Sequence, residues 1–188
     1  MSSSDFDPST MTHAQLEEAL DLWWALPGVL AGMPMPQLHR SRRDRPGAPL
    51  GAFRDDLPLL AAAGIHSVVT LLQIPGDTAV FRAAGFEHLL MAIPDGYPPS
   101  LQQFITFLRF MREQRAQGRV TAAHCAAGLG RTGTVLAGYL IAAGENPKNA
   151  IHRIRAARRG AIETPDQVRF LYDLADALPE SERVRDLK

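Results

Sequence analysis

The segment that most restricts the fold of this chain is VTAAHCAAGLGRTG, residues 120–133. It begins as an apolar β-strand pattern, passes through a turn that contains Gly128 and Gly130, and continues as a helical pattern from Arg131. The first N–H groups of a helix have no partner within the helix, so a short loop before the helix directs several of them at one point. The segment therefore predicts an anion site at the carboxyl end of a strand.

The remaining sequence predicts strands that alternate with helices. Strands are predicted at 29–32, 65–72, 86–93 and 119–125, and helices at 55–63, 78–84, 100–117, 131–143, 147–158 and 165–177. This alternation predicts an α/β fold in which helices flank a central mixed, mostly parallel sheet. Ligands of such sheets bind at the carboxyl ends of the strands, where the segment above lies.

The first 28 residues predict a polar leader and one helix. Thr12 and Gln15 have the spacing of a capping box, and Trp23 and Trp24 continue the helical spacing of apolar residues until Pro27-Gly28. We interpret the two tryptophans as core anchors of this helix. The alternative is an exposed docking surface for a partner.

The composition limits the classes of protein to which this chain can belong. Twenty basic residues balance twenty acidic ones, so no overall charge favours stable binding to nucleic acid or to a membrane. A single cysteine excludes an intramolecular disulfide, and the start of the chain lacks the positive region of a signal peptide. We expect a cytoplasmic protein with one globular unit that acts as a monomer.

The predicted anion site also has the residues for nucleophilic chemistry. A thiol at a helix N-terminus beside an arginine is activated as a thiolate, and an arginine offers two parallel donors to a phosphate. Cys125 is therefore the candidate nucleophile and Arg131 the phosphate clamp. Backbone N–H groups of the loop complete the predicted binding site: Ala126, Ala127, Gly128, Leu129, Gly130 and Arg131. A lone cysteine is usually buried and inert, but the whole constellation is rare by chance.

HCAAGLGRTG resembles the HCxxGxxR(S/T)G signature of the cysteine-based protein tyrosine phosphatase superfamily. Together with AIPDGYPPS and GAIETPDQ, the resemblance covers residues 29–172 and is nearest to the small atypical dual-specificity phosphatases of the VHZ-like group. It implies a single domain with the protein tyrosine phosphatase fold. We therefore assign 29–188 to the phosphatase catalytic domain and 1–28 to a leader and helix that pack on it.

Further residues receive roles around the phosphate. Asp95 is the candidate proton donor because it follows a strand in a proline-stiffened loop, and by resemblance it matches the family's general acid. The alternative is that Pro94-Asp95-Gly96 is only a turn. The Thr132 hydroxyl is placed to donate to the departing sulfur.

Supporting positions complete the predicted site. His124 is expected to orient its neighbours through hydrogen bonds rather than to transfer protons. By resemblance, Glu163 and Gln167 lie near the phosphate and position the hydrolytic water, and Ile162 lines the pocket. The alternative for GAIETPDQ is plain helix capping by Thr164 and Pro165.

The predicted activity is hydrolysis of phosphotyrosine, and next of phosphoserine and phosphothreonine, in proteins through a phosphocysteine intermediate. Phosphate, vanadate and sulfate should bind in the loop, and neither a metal nor a cofactor is required. The alternatives are a phosphatase for lipid, nucleotide or RNA phosphates and a non-catalytic phosphate-binding module. Two arginine groups, Arg40 to Arg45 and Arg153 to Arg159, are interpreted as solvated surface.

Overall fold

A five-stranded sheet runs through the residues that the computed structural model describes, which are 7–36, 52–73 and 77–185. The strands are β1 (Trp23–Leu26), β2 (Leu30–Met33), β3 (Ser67–Thr70), β4 (Glu87–Leu90) and β5 (Thr121–His124), in the spatial order β1-β2-β5-β3-β4. β1 pairs antiparallel with β2, and all other neighbours are parallel. The predicted mixed, mostly parallel sheet is confirmed.

Seven α-helices connect and cover these strands in the described ranges. They are α1 (His13–Leu20), α2 (Ala52–Ala62), α3 (Asp77–Ala83), α4 (Leu101–Ala116), α5 (Gly130–Ala142), α6 (Pro147–Ala157) and α7 (Pro165–Ala177). The side chains of Thr12, Ser100, Asn146 and Thr164 cap α1, α4, α6 and α7. The six helices predicted after residue 28 are found within a few residues of their expected ends.

The sheet separates two apolar layers because successive strand residues point to opposite faces. Leu30, Val69 and Ala123 face the layer formed with α4, α5, α6 and α7. Ala31, Val68 and Ala122 face the layer formed with α1, α2 and α3. Both faces are buried, as expected for parallel strands between helices.

Helix α5 is the central helix of the larger layer, and all of its residues are buried. Its glycines allow close packing on both sides. A Cβ atom on Gly133 would lie 2.8 Å from Cβ of Ala161, and one on Gly138 would lie 2.7 Å from the Phe104 ring. The helix that carries Arg131 is thus held firmly in place.

The predicted extension of α1 through Trp23 and Trp24 is wrong. The helix stops at Leu20 because Asp21 adopts a left-handed conformation with φ of 50°, and the chain then enters β1. Trp23 is buried in the core against Gly32, as its interpretation as a core anchor required. Trp24 is partly buried and donates from Nε1 to Glu17 at 2.6 Å.

The later arginine group has structural partners instead of forming only a solvated face. Arg158 makes a bidentate pair with Asp21, with both distances at 2.6 Å. Arg153 donates to the carbonyl of Ala25, and Arg155 donates to the carbonyl of Ala161. These contacts tie α6 to the start of the sheet and to the segment before α7.

The predicted division at residue 28 falls in the turn between two paired strands, since Val29 N–H donates to the Leu26 carbonyl at 3.0 Å. The assignment of 1–28 and 29–188 stays a prediction. No helix in the described ranges is long and apolar enough to cross a membrane.

Candidate active site

Cys125 lies directly after β5, where the loop to α5 begins, and only 3% of its surface is exposed. Leu129 occupies the N-cap position of α5 and forms no side-chain cap. The helices capped by Thr12, Ser100, Asn146 and Thr164 differ in this respect. The partial positive charge at the start of α5 is therefore left for another acceptor, beside the loop that starts at Cys125.

Gly128 is the loop position that requires glycine. Its φ is +71°, and a Cβ atom would lie 2.5 Å from the carbonyl carbon of Met33. The loop is also fixed to the sheet by a hydrogen bond of 3.0 Å from Met35 N–H to the Ala126 carbonyl. A larger residue at 128 would push the loop away from the end of β2.

Arg131 joins the loop to the segment that follows β4. Its Nη1 donates to the carbonyl of Ile93 at 3.1 Å, and its Nη2 lies 2.8 Å from Oδ1 of Asp95. The arginine side chain is 8% exposed, whereas that of Asp95 is 90% exposed. The predicted clamp and the predicted proton donor are thus brought together at the mouth of the site.

His124 is fully buried beneath the loop. Its Nε2 is 2.7 Å from the Thr70 hydroxyl, and its Nδ1 is 3.4 Å from the carbonyl oxygen of Cys125. Burial, which disfavours the charged ring, lowers the pKa of His124 to about 4. A neutral ring at pH 7 supports the expected orienting role.

The hydrogen bonds of His124 continue beneath the site through three residues that the sequence did not reveal, Thr70, His88 and Thr78. The Thr70 hydroxyl is also 2.8 Å from Nε2 of His88, and Nδ1 of His88 is 3.0 Å from the Thr78 hydroxyl. Phe81 stacks on the His88 ring with centroids 4.8 Å apart. Only the pairing register of β3, β4 and β5 brings these polar residues together, so no local sequence pattern could have identified them.

Thr132 is completely buried on α5, and its hydroxyl has no hydrogen-bond partner among the described residues. It follows Arg131 directly, in the first turn of the helix. A buried hydroxyl without a partner costs free energy, and a sulfur or phosphate acceptor nearby would offset that cost. The predicted role of Thr132 therefore stays a prediction with a physical reason.

Gln167 caps α7 and lies beside the loop of Cys125, and its predicted role near the phosphate stays a prediction. Its Oε1 accepts from the N–H groups of Glu163 at 2.8 Å and Thr164 at 3.2 Å, which completes a capping box at α7. Its Nε2 is buried and has no partner in the described residues. A Cβ atom on Gly130 would lie 3.1 Å from this Nε2 and in contact with the Glu163 carboxylate. The segment therefore caps a helix and also borders the loop of Cys125.

The segment before α7 is fixed by two contacts that sequence reasoning missed. The Thr164 hydroxyl donates to the carbonyl of Gly96 at 2.8 Å, next to Asp95. Ile162 has a φ of 60°, which is unfavourable for a branched residue, and Arg155 holds its carbonyl at 2.8 Å. Backbone strain of this kind concentrates at functional sites.

In the described ranges, no three His, Cys, Asp or Glu side chains form a candidate metal-ligand group. The arginine loop with Arg40, Arg42, Arg43 and Arg45 lies outside the described residues. Its interpretation as solvated surface stays a prediction.

A strand, loop and helix that hold a cysteine and an arginine around an anion site define the class of cysteine-based phosphatases among α/β folds. Residues 45–145 match the family model described as "Polymorphic toxin system, DSP-PTPase phosphatase", which is more than half of the chain. The chain belongs to this family, within the cysteine-based protein tyrosine and dual-specificity phosphatase superfamily.

Curated relatives include both protein and lipid phosphatases. Dual specificity protein phosphatase CDC14AB of Danio rerio is 34% identical over 163 residues, which are 86% of this chain and 26% of that protein. Phosphatidylglycerophosphate phosphatase PTPMT2 of Arabidopsis thaliana is 35% identical over 94 residues, which are 47% of this chain and 41% of that protein. The chain thus spans about a quarter of the length of the CDC14 relative.

The solved structure of Tk-PTP in its active form agrees with this fold over nearly its whole length. It superposes with a TM-score of 0.70 at 27% identity, and the match covers 84% of this chain and 97% of Tk-PTP. The predicted fold class is confirmed.

Proposed function

We propose that this chain hydrolyses phosphate monoesters through a phosphocysteine intermediate, with phosphotyrosine in proteins as its first substrate class. The observation that carries the proposal is the contact between Arg131, which ends the loop that begins at Cys125, and the exposed Asp95 carboxylate, 2.8 Å away. It joins a candidate nucleophile, an anion clamp and a proton donor in one site.

In the first step, the Cys125 thiolate attacks phosphorus, an S–P bond forms and the ester P–O bond breaks. Bound phosphate replaces Asp95 on Arg131, and Asp95 in its protonated form gives its proton to the leaving oxygen. In the second step, water attacks phosphorus while the Asp95 carboxylate takes its proton. The S–P bond then breaks and the thiolate is restored.

The remaining groups stabilise charge or position water. Arg131 has five N–H donors, so its contact with Ile93 leaves donors for phosphate oxygens. The partnerless Thr132 hydroxyl suits a hydrogen bond to the departing sulfur, and Nε2 of Gln167 suits the attacking water. These groups supply nucleophile, proton and charge, so the proposed reaction uses no cofactor and no metal.

Two features support phosphoprotein as the substrate class. The loop positions Ala126, Ala127 and Leu129 are uncharged, whereas phosphoinositide phosphatases tend to have lysine there. Tyr97 follows Asp95 closely and is 59% exposed, so its ring can pack against the aromatic ring of phosphotyrosine. We further propose that the chain acts as a monomer in the cytoplasm, where its single thiol stays reduced, without stable binding to nucleic acid or membrane.

A second candidate is a lipid phosphatase, favoured by the 35% identity to a phosphatidylglycerophosphate phosphatase. Both candidates use the same Cys125 chemistry and differ in the group that carries the phosphate.

Turnover of p-nitrophenyl phosphate, inhibited by vanadate, tests the chemistry. Cys125→Ser should lower kcat about 10³-fold or more while vanadate still binds, because only the nucleophile is lost. Full activity of Cys125→Ser would overturn the mechanism. Vanadate binding without any turnover by the unmodified protein would favour a non-catalytic binding module.

A substrate panel tests the substrate class. Phosphotyrosine, phosphoserine and phosphothreonine peptides are compared with phosphatidylglycerophosphate in mixed micelles, nucleotides and RNA 5′ phosphates. We expect the highest kcat/KM for phosphotyrosine peptides. A higher value for the lipid would select the second candidate.

A further inference from the structure

A second cavity lies far from Cys125, between α4, α5 and the C-terminal segment 181–185. It has a volume of about 640 Å³, and we call it the basic pocket. Tyr139 contributes to it from α5, eight residues after Arg131, which is about 12 Å along the helix axis. Its lining shares no residue with the candidate active site.

The charge of the basic pocket is strongly positive. Among the described residues that line it there is no acidic side chain, and four are arginines: Arg112, Arg115, Arg183 and Arg185. Two nearby glutamates pair with three of the surrounding arginines. Glu182 is shared between Arg109 at 2.6 Å and Arg112 at 3.3 Å, and Glu180 pairs with Arg183 at 2.9 Å.

The interior of the basic pocket combines apolar surface with one buried polar group. Leu108, Val184 and the ring of Tyr139 provide the apolar surface. Tyr139 is 1% exposed, and the Arg115 guanidinium lies beside its hydroxyl. Burial raises the pKa of Tyr139, and the nearby Arg115 opposes that rise, so the phenol stays a neutral hydrogen-bond donor.

The wall formed by the C-terminal segment is held in place by the rest of the fold. Val184 N–H donates to the carbonyl of Ala142 at 2.9 Å, at the end of α5. Arg183 also donates to the carbonyl of Ala175 at 3.0 Å. The wall of the pocket is therefore fixed by contacts within the fold, and the pocket volume is typical of sites for small molecules.

We propose that the basic pocket binds a small organic anion, whose apolar body packs on Leu108, Tyr139 and Val184 and whose negative group is held by the arginines. The Tyr139 hydroxyl then donates a hydrogen bond to the anion. This inference is independent of the phosphatase mechanism, because none of its residues takes part in it.

Fluorescence titration with 1-anilinonaphthalene-8-sulfonate tests the proposal. N-phenyl-1-naphthylamine has the same apolar body without the sulfonate and serves as the neutral control. We expect saturable binding of the sulfonate at one site, with at least about tenfold weaker binding of the neutral compound, because charged hydrogen bonds are lost. Equal affinities would overturn the proposal.

Variants locate the binding site. The double variant Arg112→Met and Arg185→Met should weaken sulfonate binding about tenfold or more, and Tyr139→Phe should weaken it by a smaller factor. Arg169→Met, at an exposed arginine of α7, is the matched control and should leave binding unchanged. Unchanged affinity in the double variant, or displacement of the sulfonate by vanadate, would place the probe elsewhere and overturn the proposal.

Discussion

Asp95 and Arg131 form an ion pair in which the two side chains differ greatly in exposure to solvent. The arginine side chain is 8% exposed and the aspartate side chain 90%, so water screens the ion pair from one side. Screened pairs of this kind contribute about 0–1 kcal/mol to stability. The contact therefore matters for the position of a carboxyl group rather than for the free energy of unfolding.

Asp95→Asn should separate catalysis from stability. We expect kcat for phenyl phosphate, which has a poor leaving group, to fall about 10²-fold, and kcat for p-nitrophenyl phosphate to fall less. The free energy of unfolding should change by no more than about 1 kcal/mol. Asp166→Asn, at an exposed acid of α7, is the control and should change neither quantity. An equal loss for the two esters would contradict proton donation by Asp95.

Gln167→Glu keeps an oxygen that caps α7 and removes the amide N–H₂ group. If Nε2 positions the hydrolytic water, the second step slows about tenfold, and p-nitrophenol is released in a burst followed by a slower steady rate. Stopped-flow absorbance measures the burst. Gln15→Glu makes the same change in the capping box of α1 and should show no burst. Steady release by Gln167→Glu with unchanged kcat would limit Gln167 to capping.

At the scale of elements, one threonine connects three parallel strands beneath the site. Thr70 of β3 contacts His124 of β5 at 2.7 Å and His88 of β4 at 2.8 Å, and Thr70 and His124 are register partners. Because all three side chains are buried, each hydrogen bond compensates desolvation that no water relieves.

Thr70→Val preserves the shape of the side chain but leaves two buried ring nitrogens without a partner. The free energy of unfolding should fall by about 1–3 kcal/mol, as measured by urea denaturation. Thr106→Val is the control, because the Thr106 hydroxyl is exposed and bonds only within α4. A loss no greater than that of the control would show that the network contributes nothing to stability.

For the whole molecule, the two buried histidines link folding to pH. Burial lowers the pKa of both His88 and His124 to about 4, from an ordinary value of 6.5. The unfolded chain therefore takes up protons as the pH falls through 6.5, while the folded chain does so only near 4. Stability is present above pH 6.5 and is lost as the pH falls towards 4.

Urea denaturation between pH 7 and pH 4.5 measures this dependence. As the pH falls from 6.5 to 4, each histidine should lower the free energy of unfolding by about 1.4 kcal/mol per pH unit. His88→Gln should remove the contribution of one histidine from the slope of the free energy of unfolding against pH. This holds whatever the effect of the substitution on stability at pH 7. Identical slopes for the two proteins would contradict a neutral His88.

The sequence predicted those features of the fold that depend on interactions between residues close together in the chain. The caps at Thr12, Ser100 and Thr164 and the glycine turn between Cys125 and Arg131 follow from neighbouring residues alone. The end of α1 was missed because a left-handed Asp21 is stabilised by Arg158, far away in sequence. The Thr70 network was missed because strand register decides which side chains meet.

Three segments that meet around Cys125 are already joined to one another. Arg131 links its loop to Ile93 and Asp95, and Thr164 links the Gln167 segment to Gly96. Conformational entropy is therefore lost when the chain folds and not again at each encounter with a ligand. If phosphate binds here as proposed, these loops are already ordered, and their ordering does not reduce its affinity.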